Sequence, residues 1–408
     1  MQRELTQNIA VGSKSRLLLV LILGGLGAFG PFTIDMYLPA LPTIAKELDA
    51  TTSLVQISLT ACLIGLAFGQ LLMGPFSDIK GRKKPLVISI IIYTIASALC
   101  VVAPTIWIFI ALRFIQGAAG AAGMVISRAS VRDLFSGTDL TKFFAMLMLV
   151  NGLAPIVAPI AGGQVLEFVS WRGVFGVLTV IGLVMLISVM VGLDETLPPE
   201  RRKTGGFKEI LQTFGSLVKD KTFVGYALTQ GFVMSAMFAY ISGSTFVLQE
   251  IYGLSPQMFS AVFAINGLGL IIATQVTGRL AGRISESILL TYGLIQAAVG
   301  SISLVLAILF TDSVLLLCVF LFFSVTSVGI VNTTVFSLAM QTQGKQAGSA
   351  AALLGLLPFL LGGSVAPLVG AFGNNTDLAM GIVIAICELL ALCAYMLLVN
   401  KKDNITKK

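Results

Sequence analysis

Residues 51–103 read TTSLVQISLTACLIGLAFGQLLMGPFSDIKGRKKPLVISIIIYTIASALCVVA. Two apolar runs, 51–75 and 84–103, flank a short link that holds Lys80, Arg82, Lys83 and Lys84 together with one acid, Asp78. A helix needs about 20 predominantly apolar residues to cross a hydrocarbon core. Each run meets that length, and the basic link between them marks one side of a membrane. The same unit, an apolar run followed by a short polar link, recurs along the rest of the chain.

Working outward gives twelve runs, at 16–39, 51–75, 84–103, 105–128, 142–168, 172–193, 222–247, 256–278, 287–310, 313–338, 347–372 and 377–399. One link is long and polar. It runs from Asp194 to Lys221, contains Pro198, Pro199 and Glu200-Arg201-Arg202-Lys203, and divides the spans six plus six. The expected fold is an all-α membrane protein of two pseudo-symmetric six-helix bundles, with both termini cytoplasmic. Residues 1–193 would form the first bundle, 194–221 a cytoplasmic linker, and 222–408 the second bundle. The first run is too long for a cleaved signal peptide, and it ends in Asp35 and Pro39 rather than a small-residue cleavage site.

Composition supports the same class. Of 408 residues, 56% are hydrophobic and only 11% charged, and the mean hydropathy is +0.97. Soluble domains carry roughly 25% charge, so soluble enzyme folds are excluded. The chain has no histidine, which removes histidine-ligated metals, Ser-His-Asp and Cys-His nucleophiles and histidine proton relays. Any proton chemistry falls to carboxylates. Cys62, Cys100, Cys318, Cys387 and Cys393 all lie in apolar runs without a C-x-x-C pair and read as small packed hydrophobes. No metal or cofactor is expected. A membrane enzyme finds few groups to work with, and links this short leave no room for a sensor domain.

With the N-terminus inside, 23 of the 26 lysines and arginines fall on the inner side, only Lys46 and Arg172 fall outside, and Arg113 lies within a span. The net charge of +7 is therefore a topology signal facing anionic lipid, and nucleic acid is not an expected partner. A weak repeat relates the halves: Gly278-Arg279-Leu280-Ala281-Gly282-Arg283, between spans eight and nine, echoes Gly81 and Arg82 but lacks the aspartate. Duplicated six-span halves suit a transporter that binds substrate between them near the bilayer midplane.

The link 74–85 matches G-x-x-x-D-x-x-G-R-[RK] and resembles the signature loop of the major facilitator superfamily. Arg113-Phe114-Ile115-Gln116-Gly117 resembles its R-x-x-Q-G motif. Ala154-Pro155, Ala158-Pro159 and Gly162-Gly163 lie where its drug antiporters carry a Pro/Gly-rich motif, here with alanine before each proline. Residues 34–42 (IDMYLPALP) and 127–135 (SRASVRDLF) are similar to the bicyclomycin-resistance (Bcr/CflA) drug exporters, a group that includes phenicol exporters. The resemblance implies proton-coupled efflux of small amphipathic compounds across a bacterial cell membrane, with drug and protons as partners and a monomer sufficing. A dedicated metabolite or siderophore exporter, and a proton symporter, are the alternatives.

The residues carry that reading as follows. Asp35 lies near the outer end of span one, where a charged carboxylate costs on the order of 3 kcal/mol unless solvated, paired or protonated. Burial favours the protonated form of a carboxylate, as a reversible proton carrier needs. Asp35 is the first candidate for proton coupling and for attracting cationic substrate. Arg113, at comparable depth, must be paired or wetted, and Asp35 is the expected partner, as a coupling pair or a static ion pair. Gln116, one turn on, shares its face. Glu388 in span twelve is a second proton site or a neutral acid bonded to a neighbouring helix. Gly74, Asp78, Gly81 and Arg82, with Arg132, form an expected gate: glycines for close approach and a tight turn, Asp78 for pairing with Arg82 or Arg132. Pro155 and Pro159 each remove a helix bond and should bend span five, and with Gly163 they serve as a leak barrier, by resemblance, or as plain packing. Cavity candidates are Tyr37, Asn151, Gln230, Tyr240, Asn266 and Asn332, with Phe29, Phe32, Met234, Met237 and Phe359 as adaptable apolar walls.

Overall fold

The structure is a computed structural model that describes residues 13–202, 215–341, 343, 347–371 and 376–399. Twelve helical segments are long and apolar enough to cross a membrane. In chain order the helices are α1 (Ser13–Asp35), α2 (Leu41–Glu47), α3 (Thr52–Lys80), α4 (Lys83–Val101), α5 (Ile106–Leu134), α6 (Gly137–Phe168) and α7 (Trp171–Gly192). After the long link come α8 (Lys221–Phe246), α9 (Pro256–Leu280), α10 (Glu286–Phe310), α11 (Val314–Gln341), α12 (Ala347–Gly370) and α13 (Leu378–Ala394). The expected linker lies partly outside the described residues; a turn at Pro199–Arg201 and helical residues 215–217 are described within it.

Two boundaries differ from expectation, each for a local reason. The first span stops at Asp35 instead of running to 39. Pro39 has no N–H to give the Asp35 carbonyl, and its ring would collide with that carbonyl in a continued helix. The chain turns through Leu38–Ala40 and resumes as α2. Asp35 is thus the last residue of α1, not a mid-helix side chain. The supposed 74–85 loop is mostly helix: α3 runs through Pro75 to Lys80, α4 begins at Lys83, and only Gly81 and Arg82 connect them. Gly81 makes that tight connection with φ +86°, a value that suits glycine. α6 runs unbroken through Pro155 and Pro159.

Close helix contact is concentrated where α3 crosses α5. A methyl group added at Gly117 would drive into the Cys62 carbonyl, and one at Gly69 into the Ala118 carbonyl. Such crossings are the usual role of small residues in membrane helices. Gly74 is different: a side chain there would meet only Val125, at 3.8 Å, so the close approach expected of it is absent. The outward faces carry isoleucine, valine and phenylalanine, such as Ile95, Ile187, Val299 and Phe310, the surface that lipid would cover.

α3 packs on α12 and α6 on α9, joining the halves. Among the described residues, four side-chain hydrogen bonds span the junction. Gln56 Nε2 donates to Ser242 O (3.2 Å) and Gln249 Nε2 to Pro39 O (3.1 Å). Gln257 Nε2 donates to Gly163 O (3.2 Å), and the Ser260 hydroxyl is shared between Pro159 O across the junction and Pro256 O of its own helix, both at 2.8 Å. All four lie toward the end of the bundle that holds Pro39, opposite the end that holds Asp78.

Candidate functional site

Between the halves lies a cavity of about 230 Å³, lined from both sides. α1 contributes Asp35, α6 contributes Asn151 and Pro155, α8 contributes Met234, Met237 and Tyr240, α9 contributes Asn266, and α12 contributes Phe359. Of the nine residues expected to bind substrate (Asp35, Tyr37, Arg113, Gln116, Asn151, Gln230, Tyr240, Asn266 and Phe359), five therefore reach it: Asp35, Asn151, Tyr240, Asn266 and Phe359. The walls are overwhelmingly apolar. Tyr240 stacks on Phe263 (5.5 Å between ring centres, 18° between planes) and accepts from Asn266 Nδ2 at 2.9 Å. Its own O–H is left to point elsewhere. Asn151 Nδ2 donates to Leu147 O at 2.8 Å. The helical bonds from positions 155 and 159 to Asn151 O and Pro155 O cannot form, because proline has no N–H, so α6 is loosened along the cavity wall.

Asp35 is 4% exposed and faces this space. Among the described residues its carboxylate has no hydrogen-bond or ion-pair partner. The expected Asp35–Arg113 pair is not formed. Arg113 turns instead to the backbone that the early end of α1 leaves open. Its Nη2 donates to Thr33 O at 2.8 Å and its Nη1 to Gln116 Oε1 at 2.5 Å. Its guanidinium lies over the Tyr37 ring at 4.1 Å. The last carbonyls of a helix lack internal partners and carry partial negative charge, so a cation is well placed there. Arg113 caps α1 two residues from Asp35 and holds the turn that aims the carboxylate.

Three more expectations are corrected here. Tyr37 is fully buried against Phe109 and Phe175 beneath Arg113, away from the cavity. Gln116 is equally buried and passes the bond on, its Nε2 donating to Ser97 Oγ at 2.7 Å. Gln230 does not line the cavity. Of the other candidates, Phe29 stacks on Tyr93 at 4.6 Å and Asn332 Nδ2 contacts Met234 Sδ at 3.1 Å. The reading of spans one by one missed Thr33, Tyr93 and Ser97. Thr33 Oγ1 and Tyr93 OH are 2.9 Å apart, completing a buried polar network through α1, α4 and α5. Their signal was the presence of several hydroxyls at mid-span level.

At the opposite end, Arg82 Nη1 donates to Asp78 Oδ1 at 2.6 Å and Arg82 Nε to Asp133 Oδ2 at 2.8 Å. Burial works against the Arg82 charge, but bonds to Asp133 and Asp78 outweigh it and hold the guanidinium above its ordinary pKa. Arg132 is exposed and forms no ion pair among the described residues; Arg82 serves Asp78 and bridges it to Asp133. Glu195, past the end of α7, accepts from the backbone N–H of Arg82 (2.7 Å) and Lys83 (3.2 Å). It caps α4 and ties the start of the long link to this cluster. Asp133 and Glu195 went unassigned in the sequence because their partners are 51 and 113 residues away.

The Pro/Gly segment of α6 has a definite place: Pro155 lines the cavity, while the carbonyls of Pro159 and Gly163 receive two of the four bonds joining the halves. Glu388 is fully buried in α13, and both its oxygens lack partners, so the expected bond to a neighbouring helix is absent.

Comparison with known proteins places this geometry in context. Residues 21–367 match the family model described as Major Facilitator Superfamily. The chain is 45% identical to the uncharacterized MFS-type transporter YdgK of Bacillus subtilis (strain 168), covering 95% of this chain and 97% of that protein. It is 31% identical to the bicyclomycin resistance protein homolog of Haemophilus influenzae, covering 95% and 98%. The partially occluded inward open structure of the xylose transporter XylE from E. coli superposes with a TM-score of 0.73 at 14% identity, over 94% of this chain and 98% of that one.

Proposed function

Because the chain belongs to the Major Facilitator Superfamily, we propose that it is a proton-coupled efflux antiporter that exports small amphipathic compounds by alternating access. One observation carries the reading: an apolar cavity between the two halves whose acidic lining residue, Asp35, has no partner among the described residues. Apolar walls rich in methionine and phenylalanine suit substrates of varied shape. A lone carboxylate at the edge of such walls exchanges readily between protonated and substrate-facing ionised forms. The names of relatives, including the bicyclomycin resistance homolog and a chloramphenicol resistance protein of Pseudomonas aeruginosa, support phenicol- or bicyclomycin-like cargo.

The chain is an integral membrane protein. In our reading it sits in the bacterial inner membrane as a monomer, with residues 1–193 and 222–408 as its moving bundles and 194–221 as a cytoplasmic link. The basic Asp78 end faces the cytoplasm. The four bonds at the Pro39 end then close the outer side, and the structure is an inward-facing state. The Asp78–Arg82–Asp133 cluster and the Pro159–Gly163 carbonyls act as gates at opposite ends. Arg113 supports coupling through the turn that carries Asp35.

Proteoliposomes loaded with a pH-sensitive dye test this. Addition of a phenicol, bicyclomycin or a lipophilic cation should move protons in the wild type, and Asp35→Asn should lower that movement and abolish proton-driven efflux while retaining binding. Proton-driven efflux surviving in Asp35→Asn would refute the assignment of Asp35. A screen with no substrate-linked proton movement at all would refute antiport.

A further inference from the structure

Glu388 stands apart from the site just described. It lies within α13, with no exposed surface, and neither carboxyl oxygen has a partner. A second cavity of about 10 Å³ lies against it, space for roughly one water. Ser324 lines that cavity too, and its hydroxyl is also buried without a partner. A carboxyl and a hydroxyl that both lack bonds therefore border a space of one-water size. Met237, Tyr240 and Val325 line both this cavity and the central one. A single layer of side chains separates Glu388 from the substrate space.

The surroundings set the state of the acid. Across the small cavity is Tyr240, whose oxygen is held by Asn266, and beside it on α13 is Cys387. From α11 comes Cys318, half-way buried. On α10, Glu286 is tied to Ser337 and Gln341 near that helix's start, and Tyr292 is exposed on the outward face. α12 carries no chargeable side chain among its described residues. No cation among the described residues lines the small cavity beside Glu388. An ionised carboxylate with no partner in such a place is far costlier than the neutral acid, so here the proton stays on Glu388.

We propose that Glu388 is a second proton-holding site, discharged into the central cavity when a bound substrate displaces Met237 and Tyr240. In that step the O–H bond of the Glu388 acid breaks. The proton passes to a water admitted to the small cavity and on to solvent, and a cationic substrate balances the carboxylate left behind. The chain then carries one proton site in each half, Asp35 and Glu388, on either side of one substrate space. The inference rests on the antiport reading above and extends its proton stoichiometry.

The test measures protons released per bound tetraphenylphosphonium by purified protein in weakly buffered detergent. E388Q should release about half as many as the wild type, as linkage requires when one of two coupled acids is removed. E388D should release as many as the wild type, and D35N should keep the Glu388 share. Full wild-type release by E388Q, or complete loss in D35N alone, overturns the inference and leaves single-site antiport standing. No release from the wild type overturns both. Infrared difference spectra of D35N cover the case in which E388Q does not fold: a carboxylic-acid C=O band should vanish on probe binding, and its persistence overturns the proposal.

Discussion

The four bonds at the Pro39 end yield a quantitative prediction about the balance between states. The double substitution Gln257→Ala and Ser260→Ala removes two of them, the bonds to Gly163 O and Pro159 O. Both acceptors are carbonyls within α6, where the helix offers each a donor of its own, so neither is orphaned by the change. The loss per bond is then the net value of an ordinary neutral hydrogen bond, about 0.5–1.5 kcal/mol, with Ser260 at the low end because its hydroxyl also serves Pro256 O. Together the pair contributes about 1–2 kcal/mol, a shift of roughly 5- to 30-fold in the equilibrium between states. Since the bonds exist only while this end is closed, the shift favours the open form. Spin labels at Lys46 on α2 and Met258 on α9, both exposed, report the opening by pulsed electron resonance in a background free of native cysteines. A longer-distance population should grow in the double variant. An unchanged distance distribution would refute the reasoning, showing that apolar packing of α6 on α9 closes this end without help from the bonds.

Arg113→Lys keeps the charge but replaces a planar fork of separate nitrogens with one ammonium nitrogen, which lacks the span of the guanidinium. It can serve Thr33 O or Gln116 Oε1 but not both, so thermal unfolding in detergent should reveal a loss of about 1.5–3 kcal/mol, the value of one charge-assisted bond. Wild-type stability and transport at all external pH values would argue against the capping role. Glu195→Ala strips the N-terminal cap from α4 and should cost about 0.5–2 kcal/mol. Proteolytic cleavage of the 194–221 link should quicken accordingly, and unchanged cleavage would place the link's anchorage elsewhere.

Much of the molecule was legible in the sequence for a simple reason. Hydrocarbon cannot satisfy backbone polar groups, so a long apolar run has almost no choice but helix. That constraint yields twelve spans, and the lysines and arginines between them yield a topology. The lone carboxylate at Asp35 was visible on the same ground: an acid in an apolar run is expensive and hence conspicuous. The Asp78–Arg82 pair was legible because its partners are one helical turn apart.

Pairings across the fold could not be read in this way. Gln116, Gln230 and Asn266 are all polar groups at mid-span level, yet only Asn266 faces the cavity. Helix rotation decides between them, and the spans are too uniformly apolar for a pattern to set it. Arg113 was expected on Asp35 because opposite charges at one depth attract. The structure has it on Thr33 O, because Pro39 ends α1 early and opens a carbonyl that only the folded arrangement brings within reach. Asp133 and Glu195 found Arg82 for the same kind of reason, through contacts between distant segments. The sequence by itself determined how many helices cross the membrane, and which rare charges they carry. Only tertiary structure decided which charges meet and which, like Asp35 and Glu388, are left facing a cavity, because each depends on how one helix is turned against another.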